Sequence, residues 1–276
     1  MAARRWLITG VSGGFGRMLA EAALAQGDHV AGTLRKEGQF ADFEALAPGR
    51  AHAVKLDVTD REEIKTAVGQ AAEKLGGGID IVVNNAGFGM MGALEELDAD
   101  QIDDVIEANL MGTIFVTRAA LPYLRESKGV LVNFSSYAGY FGMPGVSTYC
   151  AAKFAVEGLS ESLHIELGAF GIRVMLVEPG FFKTNFAGGS LKIARHPMAI
   201  YDGTPAGAAR SVSERKIVQK PAEPELLVDT VMKALDSETV PFRLIIGTDA
   251  VANMKRKVSS LQEAVNECEA LPANQG

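Results

Sequence analysis

The stretch Thr9-Gly10-Val11-Ser12-Gly13-Gly14-Phe15-Gly16 decides the fold, because its two flanks have different periods. Before it, Arg5-Trp6-Leu7-Ile8 is a short apolar run that reads as a strand. After it, Phe15, Met18, Leu19, Ala22, Ala23 and Leu24 recur at helical spacing as far as Gln26. Glycines between a strand and a helix let the backbone turn tightly and approach a ligand closely. The helix N-terminus behind them offers free N–H groups and a partial positive charge, which suits a pyrophosphate. The spacing is TGxxxGxG; GxGxxG would need its third glycine at Leu19. A glycine-rich turn alone is weak evidence, and its place after a first strand gives it weight. Gly10, Ser12, Gly14, Phe15 and Gly16 are therefore the expected dinucleotide turn.

The alternation continues along the chain. Strands are predicted at 29–34, 51–56, 79–83, 129–134, 172–177 and 242–246. Helices are predicted at 40–46, from a cap at Thr59 or Asp60 to Leu75, in two stretches over about 98–126, and at 147–169, 224–236 and 250–269. The stretch 181–222 reads as irregular. Strands alternating with helices imply parallel βαβ units with right-handed crossovers, and the apolar strand cores imply a sheet covered on both faces. No linker or composition shift divides the chain. The expected architecture is α/β: one doubly wound domain over 1–276, about seven parallel strands, helices on both faces. Its ligands belong beyond the carboxyl ends of the strands.

Composition narrows the function. The 276 residues are 47% hydrophobic, enough for a large core, and the net charge of −7 argues against nucleic acid. Cys150 and Cys268 form no CxxC motif and stand far apart, which fits a reducing, cytoplasmic setting. The apolar start breaks at Thr9-Gly10, too soon for a signal peptide, and no apolar run reaches the roughly 18 residues of a membrane span. His29, His52, His164 and His196 are scattered, with no HExxH, so no metal site is expected.

The second predicted strand ends Gly32-Thr33-Leu34-Arg35-Lys36, without the acid that would bind the ribose hydroxyls of NAD. Asp28 lies at its other end. Arg35 can pair with a 2′-phosphate through its planar fork, with help from Ser12 and Lys36. The plain alternative is that Arg35 and Lys36 solvate a loop. The reading is NADP(H) in preference to NAD(H).

Tyr149 and Lys153 stand four apart on a predicted helix and share a face. Ser136, thirteen residues before Tyr149, ends the fifth strand of the predicted sheet. A free Tyr, with a pKa near 10, is a poor acid-base group at neutral pH. An adjacent ammonium is expected to lower that value. A Ser hydroxyl beside it can polarise a substrate oxygen. The set suits proton transfer at an oxygen while hydride moves at its carbon. Each member has a plain reading too: Asn109 as a helix hydrogen-bonder, Ser135 as structural, Cys150 as a buried small residue, Met90 and Met91 as packing.

Together these features resemble the short-chain dehydrogenase/reductases over nearly the whole chain. The resemblance rests on Thr9-Gly10-x-x-x-Gly14-x-Gly16, Asp57-Val58, Asn84-Asn85-Ala86-Gly87, Asn109, Ser136, Tyr149-x-x-x-Lys153 and Pro179-Gly180 with Thr184. It implies a Rossmann fold and a nicotinamide cofactor. It implies Tyr149 as acid in reduction and base in oxidation, and Ser136 holding the substrate oxygen. Lys153 would bind the nicotinamide ribose and tune Tyr149, while Asn109 would anchor a proton-relaying water. Asp57 and Val58 would lie near the adenine, Asn85, Ala86 and Gly87 beside the cofactor, and Thr184 at the carboxamide. Thr33-Leu34-Arg35 and the closing 243–250 segment look most like the hydroxysteroid- and retinol-dehydrogenase branch. Homodimers or homotetramers through the helices of 99–126 and 147–169 are implied as well.

Three loops should frame a substrate pocket. They carry Phe88, Met90 and Met91; Tyr137, Tyr140, Phe141 and Met143; and Phe181, Phe182, Phe186, Met198 and Tyr201. Their side chains suggest an apolar or aromatic carbonyl or alcohol, although apolar loops also build subunit interfaces. Arg195 and Arg210 leave room for an anionic group. The 181–222 stretch reads as a lid or binding loop. The leading expectation is a ketone or aldehyde reductase. An NAD(P)-sensing regulator on the same fold and a dehydratase or epimerase on a longer one are the rivals. The first of these often lacks the Tyr or Lys, and the second usually carries an extra C-terminal domain.

Overall fold

A computed structural model describes residues 3–183, 190–212, 221–271 and 273. Seven short apolar runs pair into one parallel sheet: β1 (Arg5–Ile8), β2 (His29–Leu34), β3 (Ala51–Lys55), β4 (Ile81–Asn84), β6 (Val130–Phe134), β7 (Arg173–Pro179) and β9 (Arg243–Ile246). Its order is β3-β2-β1-β4-β6-β7-β9. The chain moves outward from β1 to β3 on one side, then returns to β4 on the other. The reversal leaves a crevice beyond the carboxyl ends of β1 and β4, where such sheets bind ligands.

Side-chain alternation explains the two helix layers. Trp6 and Ile8 point to one face, where they pack with Leu19 and Ala23 of α1 (Gly14–Ala25) and Leu227 and Val231 of α8 (Pro224–Asp236). Leu7 points to the other face and packs with Ile64 and Val68 of α3 (Arg61–Lys74) and Val116 and Leu124 of α5 (Gly112–Ser127). The expected doubly wound single domain is thus the observed one. Asp60 caps α3 by accepting from the N–H groups of Glu62 and Glu63.

Three features depart from the expected pattern. The two helices over 98–126 are one run: α4 (Ala99–Ile106) passes through a π-turn, Glu107–Met111, into α5. Strand β7 continues through Glu178 and Pro179, two residues beyond the expected stop. The 181–222 stretch is not structureless among its described residues. It holds β8 (Leu191–Ile193) and α7 (Pro205–Val212), and β8 pairs in parallel with β5 (Gly89–Met91) as a separate two-stranded sheet. Pairing needs only three residues on each side, too few to show a period. The long α6 (Ser147–Gly168) lies between β6 and β7, and α9 (Thr248–Glu269) follows β9.

Candidate active site

The glycine turn closes against the loop after β4 through Thr9. The Thr9 hydroxyl donates to Val83 O and accepts from the N–H groups of Asn85 and Ala86, both at 3.0 Å. Asn85 returns the contact, its amide donating to Thr9 O at 2.9 Å and Gly10 O at 3.1 Å. A side chain at Gly16 would meet that amide at 2.4 Å and Gly10 O at 2.5 Å, so only glycine fits. Gly10 itself has φ +74°, a conformation costly for other residues. The result is a rigid turn in front of α1. Among the described residues no side chain caps α1, and its first turn holds no acid. Gly13 and Gly14 face open space. Uncapped N–H groups, positive helix end and clear approach fit a dinucleotide pyrophosphate. Phe15 turns its ring into the core, 6.0 Å from Phe134 and edge-on to Phe182 at 5.6 Å. Its backbone is therefore the part that can meet a ligand.

Arg35 and Ser12 are exposed, Arg35 just past the end of β2. Asp57 is committed locally: one carboxylate oxygen accepts from the N–H and hydroxyl of Thr59 at 3.1 and 2.9 Å. Val58 packs against Gly112 at the start of α5. Gly180 is locked between Ile246 O, which accepts from its N–H, and the Asp249 carboxylate, which accepts from Phe181 N–H at 2.7 Å. Thr184 and Phe186 lie outside the described residues.

Strand β6 delivers Ser136 and helix α6 delivers Tyr149 and Lys153 to the same end of the sheet. Ser136 and the Tyr149 hydroxyl are hydrogen-bonded, and Ser136 Oγ also accepts from Ala138 N–H at 3.2 Å. Lys153 Nζ lies 5.7 Å from the Tyr149 ring centroid and donates to Phe134 O at 2.8 Å. Asn109 sits in the π-turn and donates to Phe88 O and Val105 O, each at 2.9 Å, while its buried Oδ1 has no partner among the described residues. A methyl group at Gly87 would fall 2.4 Å from that oxygen and 3.9 Å from Lys153 Nζ. The β4 loop, the π-turn and α6 therefore converge on one point. π-turns recur where a side chain must be aimed at a site.

Electrostatics correct one expectation. The Tyr149 phenol is not lowered; burial raises its pKa, and the Ser136 hydrogen bond opposes only part of that. Burial also lowers Lys153 to about 8, with Glu157 pulling the other way. Taking both groups out of water favours their neutral forms, and burial is the largest influence on each.

The pocket residues divide. Phe88, Tyr137, Phe141, Met143 and Phe181 are partly exposed, and Phe88 and Met143 pack in clusters with Tyr149. Met90 is not a lining residue. It is 1% exposed and packs with Val105 and Ala152, so the packing reading holds for it. Phe182 belongs to the core, and the buried Tyr140 hydroxyl donates to Ala250 O at 2.9 Å. Arg195 and Arg210 are taken by acids: Arg195 by Asp98 and Asp100, Arg210 by buried Glu96 and by Asp202. Neither waits for an anionic ligand. Ser135 Oγ donates to the Glu157 carboxylate and, at 3.5 Å, to the Ser136 carbonyl, and Cys150 is buried.

Sequence reasoning placed Thr9 in the TGxxxGxG turn without foreseeing that its hydroxyl stitches the turn to the β4 loop, and it missed one element of the site altogether. Glu157 and Glu178 are joined through Arg243 Nη1, at 2.6 Å to each. That buried network underlies α6 one turn beyond Lys153, and no local pattern announces it.

The family model for short chain dehydrogenase matches residues 4–192. Oxidoreductase BOA17 of Botryotinia fuckeliana is 39% identical over 250 residues, covering 89% of each chain. Rat retinol dehydrogenase 16 is 38% identical over 184 residues, 66% of this chain and 58% of its own. A solved short-chain dehydrogenase from Streptomyces avermitilis superposes with a TM-score of 0.90 at 38% identity, over 100% of this chain and 99% of that one. The chain belongs to the short-chain dehydrogenase family. Membership makes it an oxidoreductase of CH–OH and C=O groups.

Proposed function

We propose that the protein is an NADP(H)-dependent ketone or aldehyde reductase for apolar or aromatic substrates. The observation that carries it is the convergence of Ser136, Tyr149, Lys153 and Asn109 beside an uncapped helix N-terminus. When bound, the nicotinamide supplies or takes up the hydride. The chain's own residues do the rest. Ser136 Oγ holds the substrate oxygen, and Tyr149, kept protonated by burial, gives that oxygen its proton. Lys153 reaches the ribose and, when charged, eases loss of the phenolic proton. Asn109 Oδ1, an orphan acceptor, anchors a water that returns protons towards Lys153. Gly10, Gly14 and Gly16 with the α1 N-terminus hold the pyrophosphate, and Asn85, Ala86, Gly87, Pro179 and Gly180 line the nicotinamide half. Asp57 and Val58 border the adenine. Arg35, with Ser12, takes the 2′-phosphate. Phe88, Tyr137, Phe141, Met143 and Phe181 make the substrate wall apolar. Assembly as a homodimer or homotetramer would use the 99–126 and 147–169 helices.

The test is NADPH and NADH oxidation over a panel of steroid, retinal, aromatic and aliphatic ketones and aldehydes. Turnover with apolar carbonyls and NADPH is expected. A clear NADH preference, or turnover of highly polar compounds alone, overturns the corresponding part. Tight NADPH binding with no turnover on any panel member favours the sensing role instead.

A further inference from the structure

α9 is held to the body at its base and then leaves it. Ala250 is fully buried, its carbonyl accepts from Tyr140, and the Asp249 carboxylate holds Phe181 N–H. From Val258 to the end of the helix every residue is exposed. A helix of 22 residues is about 33 Å long, and a projecting one gains nothing from packing along its free half. Helices draw most of their stability from a buried apolar face. This one has such a face. Val251, Met254, Val258, Leu261, Val265 and Cys268 follow one another at steps of three and four, the a/d spacing of a two-helix seam. Val251, Val258, Leu261 and Val265 are all exposed.

The charges say what covers the face. Lys255, Arg256 and Lys257 occupy the first half, Glu263, Glu267 and Glu269 the second. None has an opposite charge three or four residues away, so the helix cannot neutralise itself. A second copy laid antiparallel puts each basic half against an acidic half. It also carries the free end of one helix to the base of the other, where Leu226, Gly247, Thr248 and Val251 line a hollow of about 340 Å³. We propose that α9 is a pairing helix that docks antiparallel against α9 of a second copy of this chain. The pairing is independent of the reaction proposed above.

The test is the mass of the full-length protein by sedimentation velocity. Leu261→Glu should halve the mass of the wild-type assembly, four copies to two or two to one, with the circular dichroism spectrum retained. The triple variant K255E/R256E/K257E and the triple variant E263K/E267K/E269K should each lose the same step, and mixing them should restore it. An unchanged mass for Leu261→Glu, or no restoration on mixing, overturns the proposal. So does wild-type binding to phosphatidylcholine/phosphatidylglycerol vesicles that Leu261→Glu abolishes without a change in mass, since the stripe then faces lipid.

Discussion

Tyr149 shows how far a single residue's role depends on its surroundings. A phenol raised by burial stays protonated at neutral pH but is a weaker acid for it, so a charged Lys153 must ease the loss of its proton in reduction. Tyr149→Phe keeps the ring and removes the proton. Single-turnover kinetics should show a loss of about 10²-fold or more with NADPH binding retained; intact hydride transfer would end the mechanism. Lys153 sets a pH window. Its pKa is lowered to about 8, so the ammonium is present below that value and lost above it. Affinity for the cofactor ribose should therefore fall as pH rises through about 8, and the dependence should vanish in Lys153→Met when Kd is measured from pH 6 to 10. Folding stability has the opposite slope. Between about 8 and 10.5 the native protein binds fewer protons than the unfolded chain, so this group's contribution rises with pH. Arg35→Ala should cost about 1.5–3 kcal/mol of NADPH binding, roughly 10- to 150-fold in Kd by calorimetry, and leave NADH nearly unchanged.

At the scale of elements, the glycine turn separates two effects that one substitution often mixes. At Gly13 a methyl group meets nothing within 4 Å. Gly13→Ala should thus leave urea stability almost intact and weaken cofactor binding, because the methyl occupies the approach to α1. At Gly16 the methyl collides with Gly10 O and Asn85. Gly16→Ala should lose about 1–3 kcal/mol of stability as well as binding. Equal stability losses in the two variants would mean that the turn is not the rigid frame described. The same turn was the most legible element in the sequence, because a strand, three glycines and a helical period are all local signals. Tyr149 and Lys153 were legible because four residues on a helix fix a shared face. The β5–β8 pair was not, since it joins residues a hundred apart with three on each side. Arg195 and Arg210 misled for a related reason. Their acidic partners, Asp98, Asp100 and Glu96, lie far away in sequence, and a lone Arg in a loop does not say whether a carboxylate from elsewhere already holds it.

At the scale of the whole molecule, an acidic protein must bind a polyanion. A net charge of −7 repels a dinucleotide phosphate at long range. On the proposed reading attraction comes from the uncapped α1 N-terminus and Arg35, acting within the roughly 8–10 Å that salt leaves unscreened. Binding to the native state alone then feeds directly into stability. At a ligand concentration of about 100 times Kd, the folded chain gains about 2.7 kcal/mol. For a domain near this size that is a rise of roughly 5–10 °C in Tm. If Arg35 gives NADPH a 100-fold advantage, the same concentration of NADH sits near its own Kd and adds only about 0.4 kcal/mol. Thermal unfolding of the wild type should therefore show a large shift with NADPH and about 1–2 °C with NADH. In Arg35→Ala the two shifts should become alike and small. Equal, large shifts in the wild type would mean that both cofactors reach the α1 N-terminus equally well, and Arg35 would then be a loop charge with no part in the choice.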